Sequence, residues 1–368
     1  LKCCLPSSAE NKGGNMDELM VKIDGQEFTA QQGQTILEVA RANGIFIPSL
    51  CHHRKTQNIG ACRVCMVEVE GARSLVASCC MPVSSGMVIR TDTQKVRDAQ
   101  RMVVELLWAS GDHNCLMCDQ NGCCELQDLI YRLKIEQPRF EIKPPGYAPD
   151  KTGVMISRDP NKCVLCGRCI EACNNVVVNE VLSFAHRGTH VQVACDYNLP
   201  MGDSKCVQCG ECVQICPVGA ITDKKAHGGG RPWELEKYNT TCPYCGVGCQ
   251  VTVHVNRAEN RIVKVTGREV PPNDGMLCVK GRYGFEFPSS PDRLTQPMIK
   301  KNGKHVPVSW DEALDYTADR IRKIIDRDGP DVFSAFGSGR VPNETNYAIA
   351  KFTRAVVKTN NVDHCART

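Results

Sequence analysis

The sequence predicts an α+β, multidomain chain ordered around metal, and three observations lead there. Cysteine accounts for 25 of 368 residues. The cysteines recur at gaps of two and three residues. Aromatic residues make up only 5 %, with 3 Trp. A chain this poor in large apolar rings needs another way to hold its loops, and metal ligation supplies one. Disulfides belong to secreted proteins, and Leu1–Met20 has no apolar stretch of signal-peptide length. An odd cysteine count in tight spacing then favours metal. No run of about 18 apolar residues occurs, so no transmembrane segment is expected. The expected location is cytoplasmic. A net charge of +4 gives no reason to expect nucleic acid or an acidic membrane as partner.

The chain opens with Leu1 and runs polar through Lys2–Asn15. Residues 1–19 are read as a leader, disordered or not native. From residue 20 to 34 two short strands flank Asp24-Gly25, a hairpin turn dipeptide. Thr35 and Glu38 form a capping box, and Asn43-Gly44 ends the helix that follows. Val67 and Val69 alternate with Glu68 and Glu70 in a half-buried strand. Cys51, Cys62, Cys65 and Cys79 stand at gaps of ten, two and thirteen. That spacing suits a 2Fe–2S cluster, whose four thiolates arrive from closing loops. Zinc or plain buried cysteines are the alternatives. The words around these cysteines, LCHH and ACRVCMVEVEG, resemble the N-terminal domain of the complex I large iron–sulfur subunit. That domain recurs in iron-only hydrogenases and NAD(P)-linked formate dehydrogenases. The resemblance implies a β-grasp 2Fe–2S ferredoxin domain over residues 20–95.

Residues 96–140 read as a helical segment. Thr93 caps a helix to about Ala109, with Val96, Met102, Val103, Leu106 and Leu107 on its buried side. Cys115, Cys118 and Cys124 follow at gaps of two and five. Three thiolates leave one corner of a 4Fe–4S cubane open. In the family this ligand is a histidine four residues before the first cysteine, where this chain has Gly111. His113, Asp112 and Cys123 are the candidate replacements, and His113 is preferred. As a neutral ligand it would raise the potential above that of an all-thiolate cluster.

Residues 141–227 contain the most specific signal. Cys163, Cys166, Cys169 and Cys173 stand at gaps of two, two and three, and Cys206, Cys209, Cys212 and Cys216 repeat them before Pro217. This is an internal repeat of the bacterial ferredoxin run, in which the fourth cysteine of each run ligates the other cluster. One 4Fe–4S cluster is therefore expected on Cys163, Cys166, Cys169 and Cys216. The second is expected on Cys206, Cys209, Cys212 and Cys173. Val176–Phe184 and Thr189–Val193 read as a hairpin between the runs, and Cys195 as a plain buried residue.

Gly228-Gly229-Gly230 reads as a linker into residues 228–290. Cys242, Cys245 and Cys249 stand at gaps of two and three, and Cys278 lies 28 residues further on. Strands around Val251–Val255 and Ile262–Val265 join them. CPYCGVGC and CVKGRYGFEF resemble the N-terminal 4Fe–4S domain of molybdenum/tungsten bis-pterin formate dehydrogenases, shared with assimilatory nitrate reductases. In that family a lysine after the fourth cysteine lies between cluster and pterin, and Lys280 matches it.

Residues 291–368 turn α/β. Ser309 and Glu312 cap a helix to about Asp326, Val332–Phe336 is a strand, and Asn343 caps a helix to about Lys358. The turn Gly337-Ser338-Gly339 between strand and helix offers backbone N–H groups to an anionic cofactor. The resemblance makes this the start of a truncated pterin-binding domain. It also implies that NNVDHCART leads into the cysteine or selenocysteine that binds the metal. No catalytic residue is therefore expected within the chain, but just after Thr368. The expectation is a reading frame that stops at a selenocysteine codon, tested by the nucleotides beyond Thr368.

The whole resemblance implies a formate dehydrogenase that holds one 2Fe–2S cluster, four 4Fe–4S clusters and molybdenum or tungsten bis(molybdopterin guanine dinucleotide). Its expected partner is a flavin- and NAD(P)-binding iron–sulfur subunit or a hydrogenase module. Two other readings are an iron-only hydrogenase-like subunit and a five-cluster carrier without catalysis of its own.

Overall fold

The computed structural model describes residues 18–365. The leader read over residues 1–19, with Cys3 and Cys4, falls outside them except for its last two positions. The described residues form two compact units, one ending at Trp233 and one beginning at Glu234.

The first unit opens with a five-stranded mixed sheet of order β2-β1-β5-β3-β4. Strands β1 (Glu18–Ile23) and β2 (Gln26–Gln31) pair antiparallel across Asp24-Gly25, both at positive φ. Parallel pairing of β1 with β5 (Val88–Arg90) brings in β3 (Met66–Val69) and β4 (Val76–Ala77). Helix α1 (Ile36–Ala42) starts at Thr35, whose hydroxyl accepts the Glu38 N–H while the Glu38 carboxylate accepts the Thr35 N–H. Val21, Ile23, Ile36, Leu37, Val67 and Ile89 close the core between helix and sheet. Each such side chain contributes about 1.5–3 kcal/mol on leaving water.

Helix α2 (Gln94–Ala109) starts at Thr93 as expected, but its buried face differs. Met102 and Leu106 are 45 % and 46 % exposed, while Gln100, Val104, Glu105 and Ala109 lie inside with Val96. The polar pair enters because partners await it. Gln100 donates to the Met66 carbonyl at 3.1 Å, and Glu105 accepts from Arg101 and Arg139. Helix α3 (Glu125–Arg132) packs Leu126 and Leu129 against Val104.

Beyond it, β6 (Ile156–Arg158) pairs with β9 (Ile221–Asp223), and two short helices intervene, α4 (Arg168–Glu171) and α5 (Glu211–Ile215). The hairpin between them is shorter than the sequence suggests. Its strands are β7 (Leu182–Ala185) and β8 (Gln192–Cys195). Residues Ala172–Val176 instead continue helically from α4, and Val178 and Glu180 take positive φ. Cys195 is fully buried.

The second unit begins with a sheet of order β10-β11-β12 (Leu235–Thr241, Gln250–Asn256, Arg261–Gly267). Strand β10 gives no hydropathy signal, because only Leu235 of its seven residues is buried. After helix α6 (Val279–Tyr283) come the hairpin β13–β14 (Met298–Lys301, Lys304–Pro307) and α7 (Trp310–Asp328), capped by Ser309. The strand expected at Val332–Phe336 is β15 (Ala335–Gly337). Helix α8 (Asn343–Lys351) follows, and β16 (Val362–His364) runs parallel to β15. Asn343 does not cap α8. Pro342 holds the cap position and Asn343 is the first helical residue. Among the described residues no helix is long and apolar enough to cross a membrane.

Candidate iron–sulfur sites

Five groups of cysteines stand at the spacings read as ligand sets. In the first, the Cys62 and Cys79 thiols both donate to the Cys51 sulfur, and Cys79 also bonds Cys65. Cys62 and Cys79 are pushed well up, first by these bonds to Cys51 and then by burial, with Cys65 adding to Cys79. Cys51 and Cys65 are held down by their bonds from Cys62 and Cys79. Strand β3 and the loop after β4 bring Cys65 and Cys79 together, and the N–H of Ser78, next to Cys79, donates to the Cys65 carbonyl. Cys80, which the spacing leaves without a role, places its sulfur 3.5 Å from that of Cys79.

The second group surrounds a small cavity whose wall includes His113, Cys115, Cys118 and Cys124. The other two candidates do not line it. Cys123 is exposed and its thiol donates to Gln120 at 2.9 Å. Asp112 is exposed and its N–H is taken by the Asn161 carbonyl. A side chain at Gly111 would stand 2.6 Å from both the Asn161 carbonyl and a His113 ring nitrogen. The His113 ring thus fills the space that a side chain at 111 would need. One ring nitrogen contacts the Leu107 carbonyl at 3.3 Å, a contact of the kind that orients histidine ligands. Burial lowers the pKa of His113 and keeps the ring neutral, as ligation requires.

The two cysteine runs wall two cavities, each of which takes one cysteine from the other run. One cavity is walled by Cys163, Cys166, Cys169 and Cys216. Another is walled by Cys173, Cys206, Cys209 and Cys212. Gly167 and Gly210 turn the ligand loops at φ 76° and 77°. Burial pushes the thiols up, to about 11 for Cys163 and about 12 for Cys166. A metal reverses this by taking the thiolate and releasing the proton. A single zinc ion would need its sulfurs within about 4 Å of one another. Among the described residues no three His, Cys, Asp or Glu side chains form such a single-ion site.

In the second unit, burial raises the pKa of Cys249, and the nearby sulfurs of Cys242, Cys245 and Cys278 raise it further. The N–H of Cys242 donates to the Cys249 carbonyl at 2.8 Å. Buried Asn273 sets the fourth cysteine. Its side chain accepts from Gln250 N–H at 2.7 Å and donates to the Met276 carbonyl at 2.9 Å. Asn273 thus ties the residue after Cys249 to the approach to Cys278. Sequence spacing gives no sign of it. Lys280 is exposed on α6.

The turn Gly337-Ser338-Gly339 joins β15 to α8. Asn346, one turn into α8, accepts the Ser338 N–H at 3.2 Å and donates to its carbonyl at 3.0 Å. A side chain at Gly337 would meet Asn346 Oδ1 at 2.6 Å. The register of β15 and β16 brings Cys365 to the same turn, 3.3 Å from the Ser338 hydroxyl.

Cavities walled by ligand-spaced cysteines, in series along one chain, define an iron–sulfur electron-transfer protein of the oxidoreductase class. Five family models match in chain order. They are a 2Fe-2S iron-sulfur cluster binding domain over 16–94 and the NADH-ubiquinone oxidoreductase-G iron-sulfur binding region over 100–139. A ferredoxin-like domain of NADH-quinone oxidoreductase subunit 3 covers 153–222. The molybdopterin oxidoreductase Fe4S4 domain covers 235–290 and molybdopterin oxidoreductase 293–368. "Putative formate dehydrogenase YrhE" of Bacillus subtilis is 34 % identical over 96 % of this chain and 40 % of its own length. An NADH-quinone oxidoreductase subunit of Rhizobium meliloti is 35 % identical over 95 % of this chain and 40 % of its own. A chain of an NAD+-reducing NiFe-hydrogenase crystal structure is 31 % identical, with a TM-score of 0.55, over 58 % of this chain and 90 % of that one. The chain belongs to the family of iron–sulfur oxidoreductase subunits that includes the large iron–sulfur subunit of complex I and the N-terminal region of formate dehydrogenases. It spans about two fifths of the length of these curated relatives, 40 % in both cases.

Proposed function

We propose that this chain is the electron-transfer part of a formate dehydrogenase. Formate is oxidised to carbon dioxide, or the reverse, at a molybdenum or tungsten bis-pterin site of the full-length protein. The ligand sets are those read from the spacing. Cys51, Cys62, Cys65 and Cys79 hold a 2Fe–2S cluster. His113, Cys115, Cys118 and Cys124 hold a 4Fe–4S cluster, the crossed sets of the double run hold two more, and Cys242, Cys245, Cys249 and Cys278 hold the fifth. Lys280 lies between the fifth cluster and the pterin, and the Gly337-Ser338-Gly339 turn contacts the pterin cofactor. Electrons leave through the Cys115 and Cys51 clusters to a flavin- and NAD(P)-binding partner or a hydrogenase module in the cytoplasm. The protein supplies spacing and tuning, while the cofactors carry the chemistry.

The observation that supports this most is the pair of crossed cysteine cavities, each taking its fourth sulfur from the other run. The CPYCGVGC and CVKGRYGFEF phrases and the formate dehydrogenase relative favour formate. The 35 % identity to a quinone oxidoreductase subunit favours a second reading, a carrier without catalysis of its own. Anaerobic addition of formate to the purified full-length protein separates them. The first reading expects cluster EPR signals to appear within seconds and molybdenum or tungsten to co-purify. Clusters that NADH with a flavin partner reduces but formate does not, in a protein with iron alone, would establish the second.

A further inference from the structure

We infer that the two ferredoxin-type sites are set apart in potential by oppositely charged buried residues at equivalent positions of the internal repeat, Arg168 and Glu211. The inference rests on reading the eight cysteines as two 4Fe–4S sites. In Cys166-Gly167-Arg168-Cys169 and Cys209-Gly210-Glu211-Cys212 the same step of the ligand loop carries opposite charge. Both preceding glycines are left-handed, so Arg168 and Glu211 each open the following helix in the same way.

Both side chains are removed from water, at 4 % and 2 % exposure. A charge so placed must be paired, and each is paired from outside the repeat. The Arg168 guanidinium donates to both oxygens of Glu125 at 2.6 and 2.8 Å. Glu125 directly follows Cys124, and its own N–H donates to the carbonyl of Pro217, next to Cys216. Glu211 accepts from the Lys55 ammonium at 3.1 Å, and Lys55 sits in the loop between Cys51 and Cys62. The first half of the repeat is therefore tied to the Cys115 segment, and the second half to the 2Fe–2S ligand loop.

The charges stand close to the sulfurs. Glu211 lines the cavity walled by Cys173, Cys206, Cys209 and Cys212. Arg168 lies between two residues that wall the other cavity, and its backbone N–H donates to the Cys166 sulfur. Reduction adds one negative charge to a cluster. A fixed cation inside the ligand loop favours the reduced form and a fixed carboxylate opposes it, the more so in a low dielectric. The members inside the loops, Arg168 and Glu211, govern the field at their own clusters. Glu125 and Lys55 approach from outside. The pseudo-symmetric pair thereby gains a polarity, with the Cys163 site higher and the Cys206 site lower than backbone and sulfur alone would make them.

EPR-monitored redox titration of the cluster-loaded full chain tests this with Arg168→Met, Arg168→Lys, Glu211→Gln and Glu211→Asp. Arg168→Met should lower the midpoint of one 4Fe–4S centre and leave the others in place. Glu211→Gln should raise the midpoint of a different one. The charge-keeping Lys and Asp variants should stay near wild type. Unchanged midpoints in folded, loaded variants would overturn the inference, as would both variants moving one centre. If Arg168→Met fails to load, Glu211→Gln, which keeps shape and the Lys55 bond, decides alone: an upward shift of one centre supports the inference and no shift refutes it. Absence of the paired 4Fe–4S signals in the wild type would instead refute the underlying site reading.

Discussion

Removal of iron should unfold the double-run region and leave the N-terminal sheet standing. The helical runs that carry the ligands, Arg168–Glu171 with its continuation Ala172–Val176 and Glu211–Ile215, are short of the ~12–15 residues that an isolated helix needs. The strand pairs beside them join three and four residues. Their cavities hold buried thiols, with Cys169 and Cys212 pushed well up by burial. Without iron, the apolar side chains that wall a cavity, Val164, Val193, Val218, Ala220 and Ile221 among them, lose the group they pack on, and what packing is left must offset the entropy of ordering these loops. In small domains organised by a structural metal, binding supplies apparent folding free energy of about 10–16 kcal/mol, and a loss on that scale exceeds what a domain keeps in reserve. The sheet of β1 to β5 has its own core of Ile23, Ile36, Leu37 and Ile89, all at 0 % exposure, so it should persist. Hydrogen exchange of the anaerobically chelated protein checks both halves. Amides of β6, α4, α5 and β9 should lose protection while those of β1 and β2 keep it. Protection retained at α4 and α5 would show that the region folds without its clusters.

The second large effect concerns His113. On the proposed ligand set, replacing the ring removes the fourth ligand of the second cluster. The His113→Ala protein should lose about one iron from that cluster and show the EPR signal of a three-iron centre. His113→Cys should keep four irons, and its potential should fall by on the order of 100 mV or more, since thiolate in place of imidazole adds negative charge. Cys123→Ser should change nothing, because that thiol faces Gln120 and not the cavity. A loss of the cluster in Cys123→Ser with an unaltered His113→Ala would assign the ligand the other way.

The parts of the fold that the sequence announces are local. Thr35 and Glu38 bond each other across three residues, and Asp24-Gly25 turns β1 into β2 at positive φ; such features are written in neighbouring letters. Strand β10 is not, because its exposed edge carries polar residues that alternate with nothing buried. The buried face of α2 departs from its hydropathy pattern for a related reason. Its inward stripe admits Gln100 and Glu105 only because Met66, Arg101 and Arg139 receive them, and hydropathy counts such residues as outward. At the sites, the cysteines are legible from spacing, since cluster geometry fixes the gaps within one loop. The supports are not. Lys55 and Glu211 lie 156 residues apart, and Asn273 acts on Cys249 and Cys278 through backbone groups alone. Asn346, inside α8, likewise holds the Ser338 turn across eight residues.

Mössbauer spectroscopy of the iron-57-labelled, anaerobically purified protein counts the clusters that the five cysteine sets are proposed to hold. About 18 irons per chain are expected, with roughly one ninth of the absorption from a 2Fe–2S centre and the rest from 4Fe–4S centres. A protein that is folded and active in electron transfer yet holds zinc at any of these cysteine sets, or fewer than five centres, would contradict it.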